Sequence, residues 1–217
     1  MSGKAVAVVP APGQTGRVFL WTVMPAPGPI GALTVGATAD GLALVAFGDH
    51  PEAAAQAAER LGVPAQGPTR PPEARLDADR AEPASSPAGV NGATAVQERA
   101  VAQLREYFAG ERRVFDVPLD WSLTSGSQRR VLATLFGTVG YGATVTYGEL
   151  AARSELGSAY TAARGVGAIM GSNPLPVVVP CHRVMAADGL GGFGGGRATK
   201  EWLLAHEGVL TGALDFG

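Results

Sequence analysis

The chain has 217 residues, 46% of them hydrophobic, and a formal net charge of −2, which fits one large or two small globular domains with an apolar core. Its single cysteine excludes an intramolecular disulfide and a cysteine-rich metal cage, and suits a reducing cytoplasm. No apolar run reaches the roughly 18–20 residues of a membrane helix, the opening residues lack a signal-peptide pattern, and the weak acidic total leaves room only for a small, local grip on nucleic acid.

Residues 1–15 read as a loose tail rich in Ala, Val, Pro and Gly. Arg17–Val23, Gly31–Val35 and Leu42–Phe47 carry the β-branched and apolar character of strands, with Asp40-Gly41 as a hairpin signal between the last two. Pro51–Leu61 reads as a helix, with proline near its start and Gly62 at its stop. Pro64–Asn91 holds six prolines and few large apolar residues, so an exposed insertion without regular structure is expected. Thr94 and Gln97 have the spacing of a capping box, opening a helix with Val101, Leu104 and Phe108 as its stripe and Gly110 at its end. Val114–Leu119 reads as a further strand. Residues 16–120 therefore form an N-terminal α/β domain.

The second section, 124–217, is mainly helical. Ser125 with Gln128 three residues later predicts a capped helix, buried through Val131, Leu132, Leu135 and Phe136. Tyr147–Arg153, a tight connection at Glu155–Ser158 and Ala159–Met170 give the outline of a helix-turn-helix. Its second helix contains Gly165 and Gly167, each costing about 1 kcal/mol of helix propensity against alanine. With Ala162 and Ala163 these glycines strip one face, so the helix can approach another large surface, and Arg164 is its single cation. Such a helix suits a nucleic-acid groove with arginine reaching into the stack; close helix–helix packing is the plainer alternative.

Cys181 lies in Leu175-Pro-Val-Val-Val-Pro-Cys-His-Arg-Val184. A lone buried cysteine is commonly an inert small hydrophobe. A thiol delivered beside an imidazole at the end of an apolar run can instead become a nucleophile, because a thiolate needs a base or a positive neighbour near neutral pH.

Tyr147, Arg164, Asn173-Pro174, Pro180-Cys-His-Arg-Val184 and Lys200-Glu-Trp-Leu-Leu-Ala-His-Glu-Gly208 together resemble the O6-alkylguanine-DNA alkyltransferases, also called methylated-DNA–protein-cysteine methyltransferases. The resemblance runs from about residue 124 to 208 and is most specific at the pentapeptide around Cys181. It implies a two-domain α+β fold, with an N-terminal ribonuclease-H-like domain and a C-terminal domain whose helix-turn-helix enters the DNA minor groove. It further implies a base rotated out of the duplex and irreversible, single-use transfer of its alkyl group to Cys181. O6-alkylguanine is the implied lesion, with O4-alkylthymine a further one. By the same resemblance His182 acts as base through a water, Glu207 orients the imidazole, Asn173 braces the Cys181 turn and Tyr147 assists departure of guanine. Arg164 would fill the vacated stack, backed by Ala162, Ala163, Gly165 and Gly167, while Val184, Phe193, Gly194 and Met170 would line the pocket. The implied partner is double-stranded DNA carrying alkylated guanine, bound by a cytoplasmic monomer that needs no cofactor, metal or membrane.

Some relatives hold a structural zinc in the N-terminal domain, which a sole cysteine at 181 argues against. Relatives often carry aromatics where Ser127 and Leu132 stand; both positions read as core. The Met185–Gly196 loop is one residue shorter than usual, with Phe193 in place of a common tyrosine. Its glycines predict mobility and room for benzyl as well as methyl groups. Three rivals fit less well. Alkyltransferase-like proteins that recognise lesions without repairing them lack the cysteine. A cysteine hydrolase would need an oxyanion hole and a histidine apart from its nucleophile, and major-groove regulators use polar and basic recognition helices.

Overall fold

The computed structural model describes residues 17–68, 88–156 and 160–210. The expected N-terminal tail, the middle of the Pro-rich tract and part of the helix-turn-helix connection lie outside these residues. Three antiparallel strands, β1 (Phe19–Pro25), β2 (Ala32–Thr38) and β3 (Gly41–Phe47), and a short fourth, β4 (Ala65–Gln66), form a sheet in the order β3-β2-β1-β4. The Asp40-Gly41 signal sits at the expected β2–β3 hairpin. The helix α1 (Pro51–Leu61) also follows expectation, and Gly62 ends it in the left-handed conformation, donating to the carbonyls of Ala58 and Glu59.

Phe19, Ala43, Leu44, Ala54, Ala57, Ala58 and Leu61 bury together beside α1 as one apolar cluster. The helix α2 (Ala88–Phe108) packs on β1, β2 and β3, and its Val96, Ala100, Leu104 and Tyr107 join a second, larger cluster.

Three expectations fail here for physical reasons. The Pro-rich tract is not wholly irregular: β4 (Ala65–Gln66) extends the sheet parallel to β1, and α2 already begins at Ala88. Thr94 therefore lies inside the helix and its hydroxyl donates 2.9 Å to the Val90 carbonyl, so it forms no capping box. Packing overrides propensity at this start, since a Cβ built on Gly92 would come within 3.0 Å of Ala39 Cβ at the hairpin. The 114–119 segment forms only an isolated bridge at Leu119, opposite Leu42. Its backbone is satisfied instead by the buried Gln103, whose Oε1 accepts from Asp116 N at 3.1 Å and Val117 N at 3.3 Å.

The second half contains α3 (Gly126–Thr138), α4 (Tyr147–Arg153), α5 (Tyr160–Gly171) and α6 (Arg197–His206). Ser125 occupies the N-cap of α3 without a side-chain bond, and Gln128 reaches Ser172 at the end of α5 instead of closing a box. The genuine capping box belongs to α4, between Thr146 and Glu149. Leu132 is buried as expected, whereas Ser127 is exposed. A two-strand parallel pair, β5 (Val145–Thr146) with β6 (Val184–Met185), sets the start of α4 beside the turn that carries Cys181.

The two halves share one continuous core, running from Met24, Leu33 and Leu104 to Val131, Leu135 and Leu203. Backbone bonds also cross between them, including Val45 N to Pro174 O at 2.8 Å.

Candidate active site

Local chain geometry holds Cys181 in place. Asn173 accepts from Leu175 N at 3.0 Å and donates to the Val179 carbonyl at 2.9 Å, closing the loop from both ends. Within that loop Val177 takes φ +72°, a left-handed conformation that a β-branched residue adopts at a cost of about 1–3 kcal/mol. The surrounding bonds hold it there, including Val179 N to Leu175 O at 2.7 Å. A short 3-10 turn, Cys181–Arg183, follows and seats all three side chains inside the protein.

The interior behind Cys181 is a polar network. His182 is fully buried, and its Nε2 lies 2.8 Å from Glu207 Oε1. Arg183 grips the same carboxylate from the side, Nε to Oε2 at 2.8 Å and Nη2 to Oε1 at 2.9 Å, while its Nη1 donates to the Val139 carbonyl. Gly142 N and the Tyr107 hydroxyl complete the shell around Glu207, the latter at 2.7 Å. Burial would raise the Glu207 carboxyl, but hydrogen bonds from His182 and Arg183 and their charges hold it well below the usual carboxylate range.

Burial lowers His182 despite the carboxylate beside it, so the imidazole is neutral at pH 7 and donates its Nε2 proton to Glu207. That tautomer, assigned from the bonding pattern, leaves a lone pair on Nδ1, which is buried and has no hydrogen-bond partner among the described residues. Burial pushes the Cys181 thiol up to about 11, against the opposing pull of the Asn173 side chain and the Lys200 charge. The resting group is therefore a thiol, and its activation needs an acceptor for the proton.

Tyr147, at the first turn of α4, has its phenol raised by burial and by the neighbouring Cys181. Its hydroxyl donates to the Gly192 carbonyl at 3.3 Å. A Cβ built on Gly191, which takes φ +70°, would stand 3.0 Å from that hydroxyl, so a side chain there would crowd Tyr147 as well as strain the backbone. Lys200, fully buried, ties the same loop down by donating to the carbonyls of Val184 (2.6 Å) and Leu190. Phe193 is half-buried, edge-on to Phe47 of β3 with ring centroids 5.5 Å apart, and packs against the core. The glycine-rich segment is thus tethered at Leu190, Gly192 and Phe193.

The expected residues divide into three groups. Cys181, His182, Glu207, Asn173 and Tyr147 converge on one place. Val184 and Met170 are buried in the core that backs it, and Gly194 is exposed on the loop beside Phe193. Arg164 and Gly165 lie exposed on α5, with Ala162, Ala163 and Gly167 half-buried. Sequence reasoning gave no role to Arg183, Lys200 or Tyr107. Arg183 and Lys200 stood inside the recognised motifs, whereas Tyr107 comes from α2, a hundred residues before Glu207, and no local signal marks it. Among the described residues no three His, Cys, Asp or Glu side chains come together as a metal site.

The model of the 6-O-methylguanine DNA methyltransferase ribonuclease-like domain matches residues 21–121, and that of the family's DNA binding domain matches 126–209. The methylated-DNA–protein-cysteine methyltransferase of Mus musculus is 54% identical over 86 residues, 39% of either chain. Its namesake in Mycolicibacterium paratuberculosis is 51% identical over 109 residues, 50% of this chain and 63% of the relative. These matches span less than two thirds of the curated relatives' length. Among solved structures, Mycobacterium tuberculosis O6-methylguanine methyltransferase superposes with a TM-score of 0.60 at 31% identity, covering 87% of this chain and 92% of the other. The same enzyme in complex with DNA gives 0.60 at 30% identity over the same shares. Matched in both of its domains and across nearly the whole of a solved relative, this chain belongs to the O6-methylguanine DNA methyltransferase family.

Proposed function

We propose that the protein repairs alkylated DNA by direct reversal, moving the alkyl group of O6-alkylguanine onto Cys181 once per molecule. The observation that carries this reading is His182 Nδ1, one residue along the chain from Cys181, buried and without a hydrogen-bond partner among the described residues while Nε2 is engaged by Glu207. A water between the thiol and Nδ1 would pass the proton to the imidazole, and Glu207 would stabilise the imidazolium, the division of labour of a nucleophile, base and orienter. The Cys181 sulfur then bonds the alkyl carbon as the carbon–O6 bond breaks. The departing guanine anion takes a proton from Tyr147, and the tyrosine recovers it from the imidazolium through solvent, so the thiol proton ends on guanine. The product is a thioether, and no group in the site can cleave it.

The target atom lies inside the duplex, so the base must leave the stack, at a cost of a few kcal/mol. The small-residue face of α5 suits close approach to the minor groove, with Arg164 inserted where the base departed. Alkylthymine is a further substrate if its smaller ring reaches Cys181. A sole thiol that must stay reduced fits a cytoplasmic protein, and a one-to-one reaction needs only a monomer. Among the described residues no helix is long and apolar enough to cross a membrane.

The test is incubation with a duplex containing O6-methylguanine, followed by peptide mass analysis. One methyl group on the Cys181 peptide, at one equivalent per protein, is expected. Cys181→Ala should abolish transfer and leave duplex binding intact, and multiple turnovers by the wild type would overturn the single-use mechanism.

A further inference from the structure

We infer that Tyr107, from the N-terminal half, is a positioning residue for alkyl transfer: its hydroxyl bond to Glu207 fixes how strongly that carboxylate holds the His182 proton. The inference rests on the proposed reaction for its kinetic consequence, but not for its geometry.

Tyr107 is fully buried on α2, and its hydroxyl donates 2.7 Å to Oε1 of Glu207. The same oxygen receives the Nε2 proton of His182 at 2.8 Å. With Arg183 Nη2 at 2.9 Å, three donors therefore share one carboxylate oxygen, and each withdraws electron density that the others would use. The Tyr107 proton cannot be lost instead, because burial and the adjacent carboxylate hold that phenol far above its usual range.

The rest of the residue is locked. Its ring meets Phe108, Phe115, Tyr141 and His206 at centroid distances of 5.2–6.2 Å, and its carbonyl lies 2.8 Å from His206 Nε2. Apolar packing alone would be met by phenylalanine; among the described residues the hydroxyl bonds only Glu207, the residue that orients the base in the proposed reaction. The groups facing Glu207 are His182, Arg183, Tyr107 and the Gly142 amide, with Tyr141 donating nearby to the His206 carbonyl, and His182 itself faces the charges of Glu207, Arg183 and Lys200.

Removing the hydroxyl leaves Glu207 charged, since Arg183 still grips both oxygens, but less well solvated. The carboxylate then attracts the imidazolium more strongly, and His182 becomes protonated at higher pH. A protonated His182 has no lone pair on Nδ1 for the thiol proton. Tyr107→Phe should therefore move the acid limb of the transfer-rate profile upward by roughly one pH unit, the size a charge-assisted hydrogen bond supports. At a pH below that limb, transfer should fall about tenfold, with recovery at higher pH.

The experiment measures single-turnover transfer from methylated duplex against pH in the full-length protein, and follows His182 by nitrogen NMR without DNA. An upward shift in both supports the inference. An unshifted His182 titration, or a loss of rate uniform in pH, overturns it and leaves Tyr107 a packing residue. If Tyr107→Phe does not fold, the wild type decides. Its Tyr107 hydroxyl proton should exchange slowly and change shift at the pH where His182 titrates, and a resonance indifferent to that titration refutes the coupling. A wild type inactive on methylated DNA would break the proposed function while leaving the titration readout interpretable.

Discussion

The N-terminal half buries mostly apolar side chains between its sheet and its helices, with Thr34, Thr38, Gln103 and Asp120 among its few buried polar groups. The C-terminal half buries His182, Arg183, Lys200 and Glu207 within a span of 26 residues. Burying charge is costly unless each ion is paired and hydrogen-bonded, and the same volume of hydrocarbon would commonly be as stable or more so. The first half is thus built for packing, and the second spends stability to hold a buried charged network in a fixed geometry. The halves are not independent, however. Val45, Phe47 and Tyr107 reach from the first to the Cys181 loop, the glycine-rich loop and Glu207 respectively.

The contrast breaks most sharply at Glu207. Glu207→Gln leaves the Arg183 charge buried without its partner, so a loss of about 3–5 kcal/mol of stability is expected in chemical denaturation. Transfer should also slow by about a hundredfold or more, since the imidazolium loses its counter-charge. The sign of the pH dependence follows from the same group. Its folded pKa lies below its unfolded one, so its stabilisation is complete above the unfolded value and is lost as pH falls toward the folded one. Wild-type stability should decline from about pH 5 downward, and Glu207→Gln should flatten that decline.

In the first half, Phe19→Ala removes a fully buried ring from the cluster beside α1, at a cost of about 3–5 kcal/mol. At a temperature where the variant is folded, its transfer rate should keep the wild-type pH profile. A shifted profile would mean that the first half controls the site through its packing as a whole.

A smaller effect is expected on α5. Arg164→Ala should slow transfer from duplex DNA far more than transfer from free alkylguanine base, which needs no flipping. Equal losses on the two substrates would assign the arginine to the fold.

The smallest effect concerns Phe193. If its ring shapes the pocket, Phe193→Ala changes the ratio of benzyl to methyl transfer rates. If it serves only to tether the loop to Phe47, the ratio stays constant while both rates move together.

Much of this site was legible before any coordinates. Pro180-Cys-His-Arg-Val184 and the 200–208 segment are contiguous motifs, and contiguous residues meet in space through local turns, as Cys181, His182 and Asn173 do. The bounds of α1 and α4 also match the sequence reading, those of α1 because a proline at the start and a glycine at the stop are local signals. The errors fell where distant partners decide. Val114–Leu119 read as a strand, but Gln103 on α2 takes up two of its amides. Thr94 and Ser125 had the spacing of caps, yet the chain before Thr94 was already helical against the hairpin, and Gln128 had a better partner in Ser172.

The sequence by itself determined the chemistry: one thiol, its adjacent imidazole, a helix cleared of bulk around Arg164, and the order of the helices. Only the tertiary structure decided the state of those groups. Whether Cys181 rests as thiol or thiolate, which nitrogen of His182 holds the proton, and that Tyr107 reaches Glu207 across a hundred residues all depend on burial and on donors brought together by packing. Electrostatic energies in a low-dielectric interior vary with distances of a few ångströms, and one-dimensional spacing does not encode those distances.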